Sequence, residues 1–397
     1  MSLTDLARLF TGAKPPVPAD GTRAHRVTIT IGSDTVDGWI DYDIIASMVT
    51  PADGFRLTRP FDLEVWKACK LDQSVKVAID GVVIVDGFID DRGRRAMAGT
   101  MEIAGRDKSG RLVQESVPKV SGWDGLKLDE LVRQLAAPWY TSVTLSDARN
   151  RLVRRGKGHR AIGNDDAAVF SVKGKLDEEH AGRIDPAQSR WSVIEQLCSS
   201  VGVLVWSSAD GRELVIGQPN YSQAIQYLFA HRRVEPTIKD LIFAESILDS
   251  YALIEVHGSG AATGDEDYGE DVTSYVGTAK DGPNADGTGR LFLRPKRLVV
   301  TNGSVASNAD AKRAAEREMT RRAFKRRQCT VIAPYHGQIV TGSQMTLFAP
   351  NTLARVIDEE MESDEIWMPY ACHYRGSRDT GETTEINLVP RGTEFVA

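Results

Sequence analysis

Residues Ser74 to Asp91, SVKVAIDGVVIVDGFIDD, decide how this chain is read. They form two short strand-like runs that meet at Asp80-Gly81, a pair favoured in two-residue hairpin turns because both positions need a positive φ. Working outward, HRVTITIG upstream alternates around Val27, Ile29 and Ile31, and TMEIAG downstream supplies another strand. Short strands at this spacing from His25 to about Glu115 predict a barrel or a sandwich.

Beyond residue 116 the period changes. GLKLDELVRQLAAPW places Leu128, Leu131, Val132 and Leu135 on one helical stripe closed by Pro138. SRWSVIEQLCSSVG does the same with Trp191, Ile194, Leu197, Cys198 and Val201, ending at Gly202. It runs into VLVWSSADGRELVIG, a hairpin about Asp210-Gly211, so 116 to about 230 reads as one or two small α/β units. β character returns at SYALIEVHGSG. An acidic, Gly-rich stretch at 264–287 follows, and its polarity predicts a mobile loop. SNADAKRAAEREMTRRAFKRR predicts the longest helix, 307–327, with a capping-box-like start at Ser307 and Asp310 and a buried stripe of Ala311, Ala315, Met319 and Ala323. CTVIAPYHG, SQMTLFAP, LARVIDEE, IWMPYACHYRG and TTEINLVP are five further strand candidates. MEIAG and IEVHG share the habit of ending a strand in Gly, a weak sign of an internal repeat.

At 397 residues the chain is long enough for two to four domains, and its 41% hydrophobic and 26% charged composition is that of a globular protein. No apolar run approaches the ~20 residues that cross a bilayer. The N-terminus lacks the apolar core of a secretory signal, so synthesis in a cytoplasm is expected. The four cysteines, Cys69, Cys198, Cys329 and Cys372, are widely spaced and expected to be buried, reduced thiols. A net charge of -6 argues against a dedicated DNA binder, despite basic patches at 148–160 and at Arg321, Arg322, Lys325, Arg326 and Arg327. Cations at the end of a helix complement its dipole; the alternative is contact with an acidic surface of another subunit.

No chemistry-bearing motif survives inspection. IAGRDKSGRL (103–112) lacks the G-x-x-x-x-G-K-[ST] spacing of a phosphate loop, which leaves a tight turn at Gly105 and Gly110 with Arg106 and Asp107 pairing to neighbours. Counted from Asp265, the fifth and twelfth calcium-loop positions hold Gly269 and Val276, which rejects that site. Neither Gly-x-Ser-x-Gly nor His-Glu-x-x-His occurs, and the seven histidines are scattered. The neighbouring carboxylates Asp90-Asp91 and Glu359-Glu360 read as exposed surface. No catalytic, cofactor-binding or metal residue is therefore assigned, and a non-enzyme is expected.

The order of elements resembles the baseplate hub proteins of Mu-like contractile-tailed phages. This tail protein P family is related to late control protein D and to the N-terminal part of type VI secretion spike proteins. The resemblance is carried by VTITIGSDTVDGWIDYDI, by DGFIDD with MEIAGRDKSGRLVQES, by RWSVIEQLCSSVGVLVWSSADGREL, and by helix 307–327 leading to Gly337 and APNTLARVIDEE. Two departures are Arg111-Leu112-Val113, where the family continues into Asp-Leu-Val, and an insertion-like stretch at 157–186. The resemblance implies an α+β, mainly β chain of two tail-tube-like β-barrel domains with smaller α/β domains inserted between or beside them. The expected division is an N-terminal segment and Pro-rich linker (1–24), a first barrel (25–115) and a small α/β region (116–230). A second barrel (231–345) would carry helix 307–327 and an acidic loop (261–289), and C-terminal strands (346–397) would complete the β domains. It further implies a homotrimer in the virion, assembled in the host cytoplasm without stable membrane insertion. That trimer would join a six-fold tail tube to a three-fold central spike, touch wedge proteins, and pass DNA through its lumen without specific binding. The competing readings are a peptidoglycan-degrading tail enzyme, which needs an acid and a nucleophile in one cleft, and a carbohydrate-binding tail-tip module, which needs clustered exposed aromatics.

Overall fold

The computed structural model describes residues 25–117, 128–145, 153–155, 158–160, 188–200, 203–208, 210–258, 275–281, 296–302, 305, 307–339, 345–378 and 380–393. In chain order the first β region comprises β1 (Val27–Ile31), β2 (Asp34–Val36), β3 (Asp41–Ser47), β4 (Gly54–Pro60), the short helix α1 (Leu63–Ala68), β5 (Ser74–Ile79), β6 (Val82–Arg95) and β7 (Thr100–Asp107). Next come α2 (Ser109–Gln114), α3 (Leu128–Ala136), β8 (Ser142–Leu145), β9 (Val153–Arg155), β10 (Gly158–Arg160), α4 (Arg190–Ser200), β11 (Leu204–Ser207) and β12 (Glu213–Gly217). The remainder is β13 (Ile225–His231), β14 (Asp240–Glu245), β15 (Leu253–Gly258), β16 (Tyr275–Lys280), β17 (Arg297–Asn302), α5 (Asn308–Phe324), β18 (Arg327–Pro334), β19 (Gly337–Ile339), β20 (Met345–Leu347), β21 (Leu353–Asp358), β22 (Ser363–Ser377) and β23 (Gly381–Pro390).

The chain is α+β and mainly β. The hairpin read from the sequence is present: β5 and β6 pair across Asp80 (φ 49°) and Gly81 (φ 82°), both in the left-handed region that a primed turn requires. Strict alternation on β1 and β7 sends Val27, Ile29, Ile31, Met101 and Ile103 inward, so each strand has one apolar and one polar face. The dominant feature is one 13-stranded sheet in the order β14-β18-β23-β22-β3-β4-β7-β6-β5-β1-β2, with β21 added to β22 and β13 to β21. Both β regions share it and share one core, in which Ile44, Leu57 and Ile103 join Phe229, Val331, Trp367 and Ile386. Among the described residues the ladder does not close on itself, so the strand pairing does not draw separate closed barrels.

Two smaller units sit beside the sheet. Helices α3 and α4 cover β8-β12-β11 and bury Leu131, Val132, Leu135, Trp191, Ile194 and Cys198, while Leu197 is only half-buried. Val201 and Gly202 lie outside the described residues. In the other unit α5 lies over β16-β15-β17, and Ala311, Ala315 and Met319 pack on Ile254 and Val256; Ala323 is half-buried.

Three expectations are corrected here. Residues Tyr275–Lys280 of the stretch read as a loop form β16, because Thr278 and Ala279 complete an antiparallel ladder with β15; 259–274 and 282–295 lie outside the described residues. The long helix ends at Phe324 rather than residue 327: Arg327 opens β18, where pairing with Glu245 of β14 supersedes the helical register. The tight turn expected at Gly105 and Gly110 is also absent: Gly105 is held in β7 by its ladder partners Phe55 and Ile89, and Gly110 lies in the six-residue helix α2, where no helix was expected.

Candidate assembly surface

The large sheet contains the same block of strands twice. In the first block β3-β4-β7-β6 lie in order, and in the second β14-β18-β23-β22 do. The registers agree. Leu57 faces Ile103 and Pro60 faces Thr100 between β4 and β7; Val331 faces Ile386 and Pro334 faces Thr383 between β18 and β23. Tyr42 faces Leu57 as Leu241 faces Val331. Each long hairpin carries one bulge at the matching place, Asp90 between Ile89 and Asp91 on β6, and Tyr370 between Pro369 and Ala371 on β22. Arg95 opposite Thr100 then matches Arg375 opposite Thr383. The blocks join where Ala371–Ser377 of β22 pairs with β3.

The solvent face of these strands is polar and internally neutralised. On it His373 binds Asp43, and Arg375 donates to His373 Nδ1 (2.7 Å) and to Glu385 (3.1 Å). Since Nδ1 accepts, the ring hydrogen sits on Nε2 and points at Asp43. Burial would raise the Asp43 carboxyl, but the bond from His373 and the nearby cations Arg375 and Arg56 hold it below its ordinary value. Arg56 approaches Glu102 (3.7 Å) and Arg106 bonds Asp90 (2.6 Å), so these two cations, like Arg375, have carboxylate partners.

The junction of β7 and α2 proves to be a joint. Lys108 Nζ reaches Asp86 (3.1 Å) and the carbonyl of Gly211 (3.0 Å), tying β6 to the β11–β12 hairpin. Arg111 lies over the rings of Phe88 (4.7 Å) and Trp139 (5.8 Å) and pairs with Asp72. Asp107 does not pair with a cation as expected: strand alternation turns it inward, beside Asp53. Burial pushes its carboxyl up to about 7, moderated by the donors of Ser109, Gly110 and Ser207, while neither of its oxygens meets full hydrogen-bond geometry. Asp53 is likewise raised by burial and by Asp107, and accepts from the N–H of Ser47 (2.7 Å). Tyr140 closes the cluster on Ser109 (2.8 Å) and Ser207 (3.2 Å).

A second buried polar cluster clamps the chain's two β regions together. Tyr42 Oη lies 2.6 Å from His336 Nε2 and donates to Glu382 (3.0 Å). His336 Nδ1 stands 2.9 Å from Thr384 Oγ1, whose own hydrogen goes to the carbonyl of Tyr335 (2.7 Å). His25 meets Asp80 through Nδ1 (2.7 Å) and accepts the backbone N–H of His336 at Nε2 (3.0 Å), which places its hydrogen on Nδ1. Sequence alone offered no signal for this cluster, since its members are separated by up to 340 positions.

The other singled-out residues are placed as follows. Arg321 and Arg322 bind Glu318, Arg326 binds Asp281, and Arg327 binds Glu245 and Glu365, so these cations are matched within the chain. The 148–160 patch lies largely outside the described residues, apart from the backbone of β9 and β10. All four cysteines are buried free thiols; burial raises Cys69 to about 11 and Cys329 to about 12. Among the described residues no group of three or more His, Cys, Asp or Glu could hold a metal ion, and no helix is long and apolar enough to cross a membrane.

Residues 26–107 match the family model described as Mu phage baseplate assembly protein GpP-like, N-terminal. No curated protein matches the sequence. Among solved structures, the tail protein from Neisseria meningitidis MC58 is similar with a TM-score of 0.69 at 21% identity, over 93% of this chain and 98% of that one. The prophage MuSo2 43 kDa tail protein from Shewanella oneidensis gives 0.68 at 19% identity, over 93% and 100%. The prophage tail protein gp18 from Listeria monocytogenes EGD-e gives 0.52 at 12% identity, over 94% and 96%. Residues 26–107 thus match the GpP-like N-terminal model, and the chain has the fold of these tail proteins, in line with its resemblance to Mu-like baseplate proteins.

Proposed function

We propose that this chain is the structural hub of a contractile phage baseplate, a homotrimer that adapts a six-fold tail tube to a three-fold central spike and leaves a channel for DNA. The observation that carries this reading is the repeated strand block, β3-β4-β7-β6 and β14-β18-β23-β22, within one chain. Each block stands for one tube-like barrel, so that three molecules present six similar surfaces to the tube and three to the spike. A closed ring of identical subunits satisfies every interface. The polar face of the blocks lines the channel. Arg56, Arg106 and Arg375 on it are already matched by Glu102, Asp90, Asp43 and Glu385, so passing phosphates gain little from counterion release at these residues.

The division into two barrels with α/β insertions, the virion location, assembly in the host cytoplasm and contacts with spike, tube and wedge proteins belong to the same reading. Light scattering on the purified chain tests it, with a mass three times that of the chain expected. A monomer at every concentration overturns the trimer. A strongly positive channel surface in a reconstruction of the particle overturns the DNA-passage part.

A further inference from the structure

The repeat also specifies how one copy meets the next, an inference that rests on the trimeric reading. Within the chain, the distal half of β22 (Ala371–Ser377) pairs antiparallel with β3, Asp41 opposite Ser377 and Ile45 opposite His373. The matching distal half of β6 has no such partner. β5 covers β6 only as far as Phe88, and Asp91–Arg95 bonds β7 on one side, with no strand on the other among the described residues. The counterpart of β3 is β14, which pairs with β18 on one side and ends the sheet on the other. Two open edges thus occupy the two positions that β22 and β3 fill inside the molecule. Open edges of this kind present unpaired N–H and C=O groups that template another strand.

We propose that β14 of one copy pairs antiparallel with the Asp91–Arg95 portion of β6 in the next copy, repeating the β3–β22 ladder. Carrying the internal register across places Asp240 beside Met97, Ile242 beside Arg95, Ala244 beside Gly93 and Glu245 beside Arg92. The parity is consistent. Ile242 and Ala244 lie on the polar face with Gly93 and Arg95, whereas Phe243 and Glu245 lie on the core side with Arg92 and Arg94. The chemistry is complementary as well: on the polar face Asp240 of β14 comes near Arg95 of the β6 edge, whereas Glu245 is held by Arg327 and Arg92 by the carbonyls of Trp66 and Cys69 within each chain. Ile242 is half exposed and Met97 fully exposed, and both gain cover in this arrangement. The contact is head-to-tail, with different edges on its two sides, so it generates a ring only if rotation closes it.

The test is the double variant Gly93→Cys with Ala244→Cys in the full chain. Both positions are exposed, a Cβ at Gly93 meets nothing within 4 Å, and the native thiols are buried. Thermal melting verifies that the variants fold. Under mild oxidation the double variant is expected to run as covalent dimers and trimers on a non-reducing gel, and each single variant as monomer. A trimeric mass by light scattering without linkage overturns this junction and leaves the trimer standing. A monomeric mass overturns both.

Discussion

The side-chain amide of Gln338 substitutes for a strand: its Oε1 accepts the N–H of Leu228 at 2.9 Å and its Nε2 donates to the carbonyl of Leu228 at 2.8 Å. The short β19–β20 hairpin is thereby fastened to β13, whose other edge pairs with β21. Gln338 is buried, so Gln338→Ala leaves the N–H of Leu228 without this partner, while the carbonyl keeps the hydroxyl of Thr237 (2.9 Å). A loss of roughly 1–3 kcal/mol in urea unfolding is expected. A loss under 0.5 kcal/mol would contradict it.

Tyr42 bridges His336 and Glu382 from the opposite end of the chain. Its hydroxyl carries a single hydrogen for two partners, so at least one of those partners must supply a proton in return. Tyr42→Phe keeps the ring and removes the bridge, at an expected cost of about 1–3 kcal/mol. Combining it with Glu382→Gln is expected to recover part of that loss. Additive destabilisation in the double-mutant cycle would show that the bridge does not couple the two residues.

Gly105 sits where β6, β7 and β4 come closest. A Cβ there would stand 2.0 Å from the carbonyl oxygen of Phe88 and 2.7 Å from the ring of Phe55. Gly105→Ala is therefore expected to destabilise by more than about 3 kcal/mol or to abolish soluble expression. Gly93→Ala, on the same hairpin but in open space, is expected to stay within about 0.5 kcal/mol of the parent. Equal melting temperatures for the two variants would refute the packing argument.

Asp107 links stability to pH. Its carboxyl is raised to about 7 in the folded chain, above its unfolded value near ~4, so the folded form binds more protons between these limits. The proton-linked contribution is therefore fully present below ~4, where both states are protonated, and is lost as pH rises from ~4 through 7. Asp53, raised by the same burial, acts in the same sense. Melting temperatures of Asp107→Asn and parent should converge toward pH 4, and the fall from pH 5 to 8 should be shallower in the variant. Parallel profiles would exclude Asp107 as the linked group.

Local pattern carried much of the fold into view. Alternation at Val27, Ile29 and Ile31, the Asp80-Gly81 turn and the helical stripes of α3, α4 and α5 depend on neighbours within a few positions, so they are legible without tertiary information. The same logic failed where a longer-range partner intervened. Arg327 looked helical by charge but is drawn into β18, and Tyr275–Lys280 looked like loop by composition but is ordered by β15. Asp107 reads from the sequence as pairing with a neighbour at a turn; its strand position turns it inward instead.

The amino-acid sequence by itself determined the Asp80-Gly81 hairpin, the alternation of β1 and β7 and the stripes of α3, α4 and α5, because propensity and period act over a handful of residues. Tertiary structure alone decided that β3 meets β22 across 330 positions, as between Asp43 and His373, and that two blocks share one register while matching in few residues. The physical reason is that sheet order is written in backbone hydrogen bonds, which every residue but proline can make. Side-chain identity constrains which face is buried, and Leu57 or Val331, Ile103 or Ile386 serve that purpose equally.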